Sequence, residues 1–217
     1  MSDWLSAIHD RDVVFTDLAL AILGAYLGWR LWLMPGRMRL PRAGALLLGA
    51  LASAAFWGAI FHALFPDGTA TISGAVAWSP VVLSIVVAAA VMLDLALEIL
   101  VPRVGPGIRR YIVMMYAAGF AAVALLLDRS FTSIVYFYVP ALLLLLLAAA
   151  RRAISGRSIG WTLVAAGLLM SVGAAVLQQA RVAIHPVYFD HNAVYHVAQS
   201  IAILFLYVGW RRAPASV

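Results

Sequence analysis

Residues 72–100 read ISGAVAWSPVVLSIVVAAAVMLDLALEIL, and this stretch decides the fold. It carries no charged side chain before Asp94. A helix needs about 20 mostly apolar residues to cross the hydrocarbon core of a bilayer. The stretch therefore predicts a transmembrane helix, and the rest of the chain contains further long apolar stretches of the same kind.

The composition is that of a membrane protein. Apolar residues make up 65% of the 217 residues and charged residues only 11%, against roughly a quarter charged in soluble domains. This excludes a water-soluble globule, a disordered chain and a disulfide scaffold. The chain has no cysteine, so any metal site must use other ligands. The net charge of +6 comes from arginine clusters between apolar runs, which indicates membrane topology and not a nucleic-acid partner.

Six further apolar stretches resemble the first in length and composition. They cover residues 13–33, 43–65, 110–127, 131–150, 158–180 and 192–210. We therefore expect an all-α, multi-pass integral membrane protein with seven transmembrane helices and a single domain over residues 1–217. The arginine-, alanine- and leucine-rich composition is typical of a bacterial protein, which places it in the inner (plasma) membrane.

The arginines predict the orientation. Twelve of the fifteen fall between alternate spans or at the C-terminus, and only Arg11, Arg129 and Arg181 fall on the other side. The larger group is Arg30, Arg37, Arg39, Arg42, Arg103, Arg109, Arg110, Arg151, Arg152, Arg157, Arg211 and Arg212. Because cytoplasmic loops carry the excess of positive charge, we expect the N-terminus outside and the C-terminus inside.

The histidines gather in the outward half of this topology, as does Asp17 near the start of the first span. Ionisable groups at membrane depth are costly and mark functional sites. Asp94 and Glu98 are exceptions near the inner end of the third span. They are expected either to pair with Arg103 or Arg109 or to form a proton-relay pair. The histidines are His9, His62, His185, His191 and His196.

Two short segments carry the candidate site. His62 lies in FWGAIFHALFP, residues 56–66, about one turn inside the second span. The other segment is PVYFDHNAVYHVAQS, residues 186–200, in which Asp190 is a plausible N-cap of the seventh helix. His191 and His196 are five residues apart, or about 140° on an ideal helix. They can share a metal only if His191 lies at the frayed start of the helix.

Three neutral imidazoles and a water make a catalytic zinc site. Zinc lowers the pKa of its bound water to about 7, and the resulting hydroxide can attack a lipid amide or ester. We therefore predict zinc ligation by His62, His191 and His196. Asp17 is the predicted general base, or the acceptor that fixes a histidine tautomer. Tyr195 is placed to polarise the substrate carbonyl.

These residues resemble the CREST superfamily, which includes alkaline ceramidases and progestin/adipoQ receptors. The resemblance covers the seven-helix plan and two motifs, His62 in the second span and HNAVYH, residues 191–196, in the seventh. It implies a zinc held by one histidine of the second helix and two of the seventh, and hydrolysis of a lipid amide.

This chain departs from the family pattern at three places. Asn192 stands where the first of two seventh-helix histidines is usual, and His191 is displaced by one residue. Gly58 replaces a serine one turn before His62. Trp78 and its neighbours occupy the region of an acid early in the third helix, a role that Asp17 can take over.

Other interpretations remain open. His62 can be a hydrogen-bonded packing residue, Asp17 a helix-start acid, and His185 or Asn192 a replacement for His191. A non-enzymatic transporter or permease would use Asp94 and Glu98. A receptor-like protein would keep a closed structural metal site, with Asn192 or Asp190 as the fourth ligand.

Overall fold

A computed structural model describes residues 9–35, 39–185 and 188–213. It confirms the all-α prediction, because these residues form seven helices that are each long and apolar enough to cross a membrane. The chain is thus an integral multi-pass membrane protein. The helices are α1 (Arg11–Trp32), α2 (Arg39–Leu64), α3 (Ile72–Leu100), α4 (Pro106–Ala122), α5 (Phe131–Gly156), α6 (Ile159–Gln179) and α7 (His191–Arg212).

Several helices extend past the apolar stretches that predict them. α2 begins at Arg39, α4 at Pro106, and α5 continues to Gly156. Most arginines assigned to loops therefore lie in helix ends, while Arg37 lies outside the described residues. The reason is physical, since hydropathy marks the apolar part of a helix and not the end of its hydrogen-bond ladder. We call this end of the bundle the arginine-rich end.

Six helices form a closed ring. Each packs on its neighbours in the order α1, α2, α3, α5, α6 and α7, and α7 returns to α1. α4 packs on the outside of α3, where Phe120 is its one buried residue. A π-helical turn, Val123–Leu127, extends α4, and together they form the fourth span, Pro106–Leu127. The interior of the bundle thus belongs to the six ring helices.

Glycines let α6 and α7 approach closely at the arginine-rich end. A Cβ built on Gly209 would lie 2.8 Å from the Val164 nitrogen, and one on Gly160 would lie 2.3 Å from the Ala213 nitrogen. Neither position tolerates a side chain without backbone movement. Small residues at such contacts allow the van der Waals packing that holds membrane helices together.

The opposite end, which we call the cavity end, holds the starts of α3, α5 and α7. The side chains of Thr71, Ser130 and Asp190 accept hydrogen bonds from the first backbone N–H groups of these helices. Such caps satisfy groups that would otherwise lack partners. Before α5, Asp128 accepts the Ser130 N–H at 2.9 Å, and this hydrogen bond holds the pKa of the Asp128 carboxyl below its usual value.

Asp94 and Glu98 lie in an ion-pair network at the arginine-rich end. Arg39 reaches both acids, at 2.7 Å and 2.6 Å. Arg109 Nε lies 2.9 Å from Asp94, although the pair is not aligned as a hydrogen bond. The acids sit near the C-terminus of α3 and the arginines near the starts of α2 and α4. Each charge is therefore unfavourable to its own helix dipole, and pairing offsets that cost.

The network bears on the transporter alternative. The pairing with Arg109 was one of the two predicted roles for Asp94 and Glu98, and the contact with Arg39 was not foreseen. Transporters often have helices that are broken within the membrane, but α3 and α5 continue without a break through Pro80 and Pro140. The acids that motivated a proton relay are thus accounted for by ion pairs.

We expect Arg109→Ala to destabilise the fold. Its side chain is only 13% exposed, so its loss leaves two half-buried carboxylates with a single arginine. The expected cost is about 1–3 kcal/mol, read as a lower midpoint of thermal unfolding in detergent. Arg103→Ala is the control, because Arg103 has no ion pair with any described residue. Equal midpoints for the two variants would contradict a structural role for the network.

Candidate functional site

A cavity of about 600 Å³ lies inside the ring at the cavity end. All six ring helices contribute to its lining, and no residue of α4 does. The five site residues predicted from the sequence all line it. They are Asp17 from α1, His62 from α2, and His191, Tyr195 and His196 from α7.

The most buried polar contact in the cavity joins α1 to α7. His196 is 8% exposed and Asp17 only 3%. His196 Nε2 lies 3.1 Å from Asp17 Oδ1. The other ring nitrogen, Nδ1, lies 3.1 Å from the hydroxyl oxygen of Thr16. A carboxylate, an imidazole and a hydroxyl thus form one continuous chain.

Hydrogen-bond accounting locates one proton in this chain. The Thr16 hydroxyl is 2.8 Å from the Asp12 carbonyl and 3.0 Å from the Val13 carbonyl, and both oxygens only accept. If the hydroxyl donates to these carbonyls, His196 Nδ1–H donates to Thr16, and the 3.1 Å contact of Nε2 with the Asp17 carboxylate requires a second proton on the pair. If the hydroxyl donates to Nδ1, the neutral ring carries its proton on Nε2 and donates it to Asp17. In both arrangements a proton lies between His196 Nε2 and Asp17 Oδ1.

Gly58 makes room for the Asp17 carboxylate. A Cβ built on Gly58 would lie 3.0 Å from Asp17 Oδ2, closer than an ordinary van der Waals contact. A serine here, as the family pattern has it, would meet the carboxylate. Asp17 Oδ2 has no hydrogen-bond partner among residues 9–35, 39–185 and 188–213, so the second carboxylate oxygen is available to a ligand.

The structure does not bring the three histidines of the predicted zinc site around one ion. Within the described part of the chain, no three His, Asp or Glu side chains are arranged to hold a metal. His62 Nδ1 faces Asp10 Oδ2 at 3.7 Å, and His191 Nδ1 faces Asp190 Oδ2 at 3.5 Å. His196 engages both ring nitrogens with Asp17 and Thr16.

The reason lies in the start of α7. Asp190 is the N-cap, as predicted, and accepts the N–H groups of Asn192 and Ala193. The helix is therefore regular from His191 onwards, and residues five apart point about 140° away from each other. The frayed start that a shared metal required is not formed.

The alternative ligands have other roles. Asn192 accepts a hydrogen bond from Gln178 at 3.1 Å and donates one to Asp190 at 3.2 Å. Asp190 also ties α7 to α1, because its N–H donates to Asp12 at 2.9 Å. His185 is exposed in the connection between α6 and α7 and does not line the cavity. These contacts position the site.

Two hydrogen-bond donors that the sequence analysis did not include among the predicted site residues border the cavity. Trp78 and Gln199 line the cavity, and Trp78 Nε1 and Gln199 Nε2 are buried without an acceptor in the part of the protein that the structure describes. A polar stripe on α7 gave a signal for Gln199. Its positions are Asn192, Tyr195, His196 and Gln199, spaced by three and four residues on one helical face. Nothing in the local sequence distinguished Trp78 from an interfacial tryptophan.

Residues 13–215 match DUF6962, which is described as a family of unknown function. The chain belongs to this family. No curated protein matches it. The family match spans α1 to α7 and so includes every residue of the Thr16–His196–Asp17 chain, but its description assigns no activity to the DUF6962 fold.

We expect Gly58→Ala to disturb the site of this DUF6962 protein. The added methyl group must push the Asp17 carboxylate away, at a cost of about 1–3 kcal/mol. Gly49→Ala on the same helix is the matched control, since a Cβ there meets nothing within 4 Å. Thermal unfolding in detergent should show a lower midpoint for Gly58→Ala only. If the two variants unfold together, Gly58 does not confine Asp17.

Proposed function

We propose that this chain is a membrane-embedded hydrolase of a lipid ester or amide, with Asp17 and His196 as its acid–base pair. The observation that carries the proposal is the Thr16–His196–Asp17 chain, buried yet lining a cavity. A buried group that must hold a proton between two heavy atoms is suited to moving that proton in a reaction.

The cavity supports a lipid-like substrate. Its volume of about 600 Å³ falls in the range of small-molecule sites. Its deeper lining is apolar and includes Leu20, Leu51 and Ile85. An acyl chain would find an apolar wall there, while its ester or amide group meets the polar stripe of α7.

The proposed mechanism conserves the proton count of the pair. Asp17 takes a proton from the attacking water through its free Oδ2, and the water oxygen bonds to the carbonyl carbon. The His196 imidazolium then gives its Nε2 proton to the leaving oxygen or nitrogen as the acyl bond breaks. A proton passes from Asp17 back to His196, which restores the starting state.

Three donors are available to the negative charge that develops on the carbonyl oxygen. Trp78 Nε1–H and Gln199 Nε2–H have no acceptor among the described residues, and the ring of Tyr195, which carries the third donor, lies beside that of His196, with centroids 5.4 Å apart. Donors oriented before the reaction stabilise such charge without reorganisation. This extends the role predicted for Tyr195 to two further side chains.

The mechanism includes no step on zinc. In the described residues the predicted set of His62, His191 and His196 is not arranged around one ion, and both ring nitrogens of His196 already have partners. The proposal therefore rests on the Asp17–His196 contact and not on the CREST resemblance. A receptor-like protein with a closed four-ligand metal site has no matching group in the described chain.

Asp17→Asn and His196→Gln are expected to abolish most of the turnover, by about 100-fold or more. Asn has the shape of Asp, and Gln retains a hydrogen-bonding amide in place of the imidazole, but neither side chain can exchange the proton. Thr16→Val should cost less, about 10-fold, because it only orients His196. The assay is release of acyl product from medium-chain acyl ester and amide probes by the purified protein in detergent.

Two variants serve as matched controls for this experiment. Asp67→Asn changes an exposed acid outside the cavity lining, and Thr162→Val removes a helical threonine near the arginine-rich end. Both should keep wild-type turnover. Full activity of Asp17→Asn, or a wild-type protein that cleaves neither probe, would overturn the proposal.

The proposal also places the cavity on the outer side of a bacterial inner membrane, since the arginine-rich end faces the cytoplasm under the positive-inside rule. The chain has no cysteine, so single cysteines report on topology without background. A membrane-impermeant maleimide should label Asp67→Cys and not Ser155→Cys in intact spheroplasts. The reverse labelling pattern would invert the orientation.

A further inference from the structure

Two arginines line the mouth of the cavity. Arg129 belongs to the connection between α4 and α5, and Arg181 to the connection between α6 and α7. Neither forms an ion pair with an acid in the described ranges. Two cationic side chains from different connections thus border one cavity without an anionic partner from the protein.

The predicted membrane topology does not explain why arginine occurs at positions 129 and 181. Twelve of the fifteen arginines belong to the other side of the predicted topology, and only Arg11, Arg129 and Arg181 belong to this one. Two of these three border the cavity. The positive-inside rule disfavours arginine on the outward side, so a local reason is needed.

The backbone of Arg181 supports a local reason. Its φ is +52°, in the left-handed region. The Val182 N–H bonds to the Leu177 carbonyl and the Arg181 N–H to the Gln178 carbonyl, which is a Schellman ending of α6. Glycine is the usual residue at this position because it adopts the conformation without strain. Arginine stands here although glycine would close the helix more easily.

The orientation of Arg129 leaves its terminal nitrogens free. Its Nε donates to the Leu125 carbonyl at 3.0 Å, which fixes the side chain along the π-helical turn. The neighbouring Asp128 carboxylate is engaged by the Ser130 N–H. The two terminal NH₂ groups of Arg129 therefore remain available for an anion, and a guanidinium binds phosphate through paired donors.

We propose that Arg129 and Arg181 bind the anionic phosphate headgroup of a lipid whose acyl part enters the cavity. The apolar lining below them includes Val135 and Val139 of α5, which suits a chain and not a free ion. This inference names anionic lipids as the substrate class of the proposed hydrolase, and in that respect it rests on the proposed function. Binding of the lipid can be measured whether or not the protein hydrolyses it.

The test measures binding to the full chain in a neutral detergent by isothermal titration calorimetry. The probes are dioctanoyl phosphatidylglycerol, the net-neutral dioctanoyl phosphatidylcholine, and inorganic phosphate. Phosphatidylglycerol should bind at least about tenfold more tightly than either of the other two. Arg129→Gln and Arg181→Gly should each weaken its binding by about tenfold, and added salt should weaken it further.

Arg157→Gly is the matched control. Arg157 has the same left-handed conformation, with φ +44°, at the arginine-rich end of α5. Both glycine variants relieve the backbone, so neither is expected to unfold the protein. Only Arg181→Gly should lose affinity. Equal loss in both variants, or equal affinity for phosphatidylglycerol and phosphatidylcholine, would overturn the inference. Equal binding of inorganic phosphate would show that no lipid is needed.

The two proposals fail separately. If the protein binds phosphatidylglycerol but cleaves no ester or amide, the hydrolase proposal is overturned and the anionic-lipid site is retained. If it cleaves neutral esters but does not bind phosphatidylglycerol, the anionic-lipid site is overturned and the hydrolase proposal is retained.

Discussion

The contact between His196 and Asp17 constrains the arrangement of the cavity end. An ionisable pair at membrane depth is tolerated only when its charge is compensated, and the 3.1 Å separation achieves this with one shared proton. The pair also orders its surroundings. Thr16 fixes the imidazole, Asp12 holds the start of α7 through Asp190, and Gly58 leaves space for the carboxylate. The α1–α7 contact is thus a buried polar contact between two helices of an otherwise apolar bundle.

The two ends of the bundle differ in how closely their helices pack. At the arginine-rich end, glycines bring α6 and α7 into contact, and two acids are paired with two arginines. At the cavity end, side chains with unmet hydrogen-bonding capacity border an open space of about 600 Å³. Helix packing and ion pairs thus close the arginine-rich end, where Trp210 Nε1 also lacks an acceptor in the described chain, whereas the cavity end leaves room for a ligand.

The sequence predicted the seven spans because about 20 apolar residues in succession have few alternatives to a membrane helix. It also predicted that Asp17, His62, His191, Tyr195 and His196 share one half of the bundle, and they line one cavity. It could not predict that Asp17 faces His196, since the two are distant in the chain and no local pattern couples them. The zinc prediction depended on a frayed start of α7, and the capped, regular start of that helix separates His191 from His196.

The CREST resemblance stays a prediction, but the positions at which this chain departs from that pattern are linked in the structure. Gly58 replaces a serine, and the space that a side chain would need there is next to the Asp17 carboxylate. The third helix has Trp78 in the region of an acid, and Trp78 presents an N–H without an acceptor in the described chain. The acid on α1 and the glycine on α2 are thus coupled, because a side chain at residue 58 would need the space that the Asp17 carboxylate occupies.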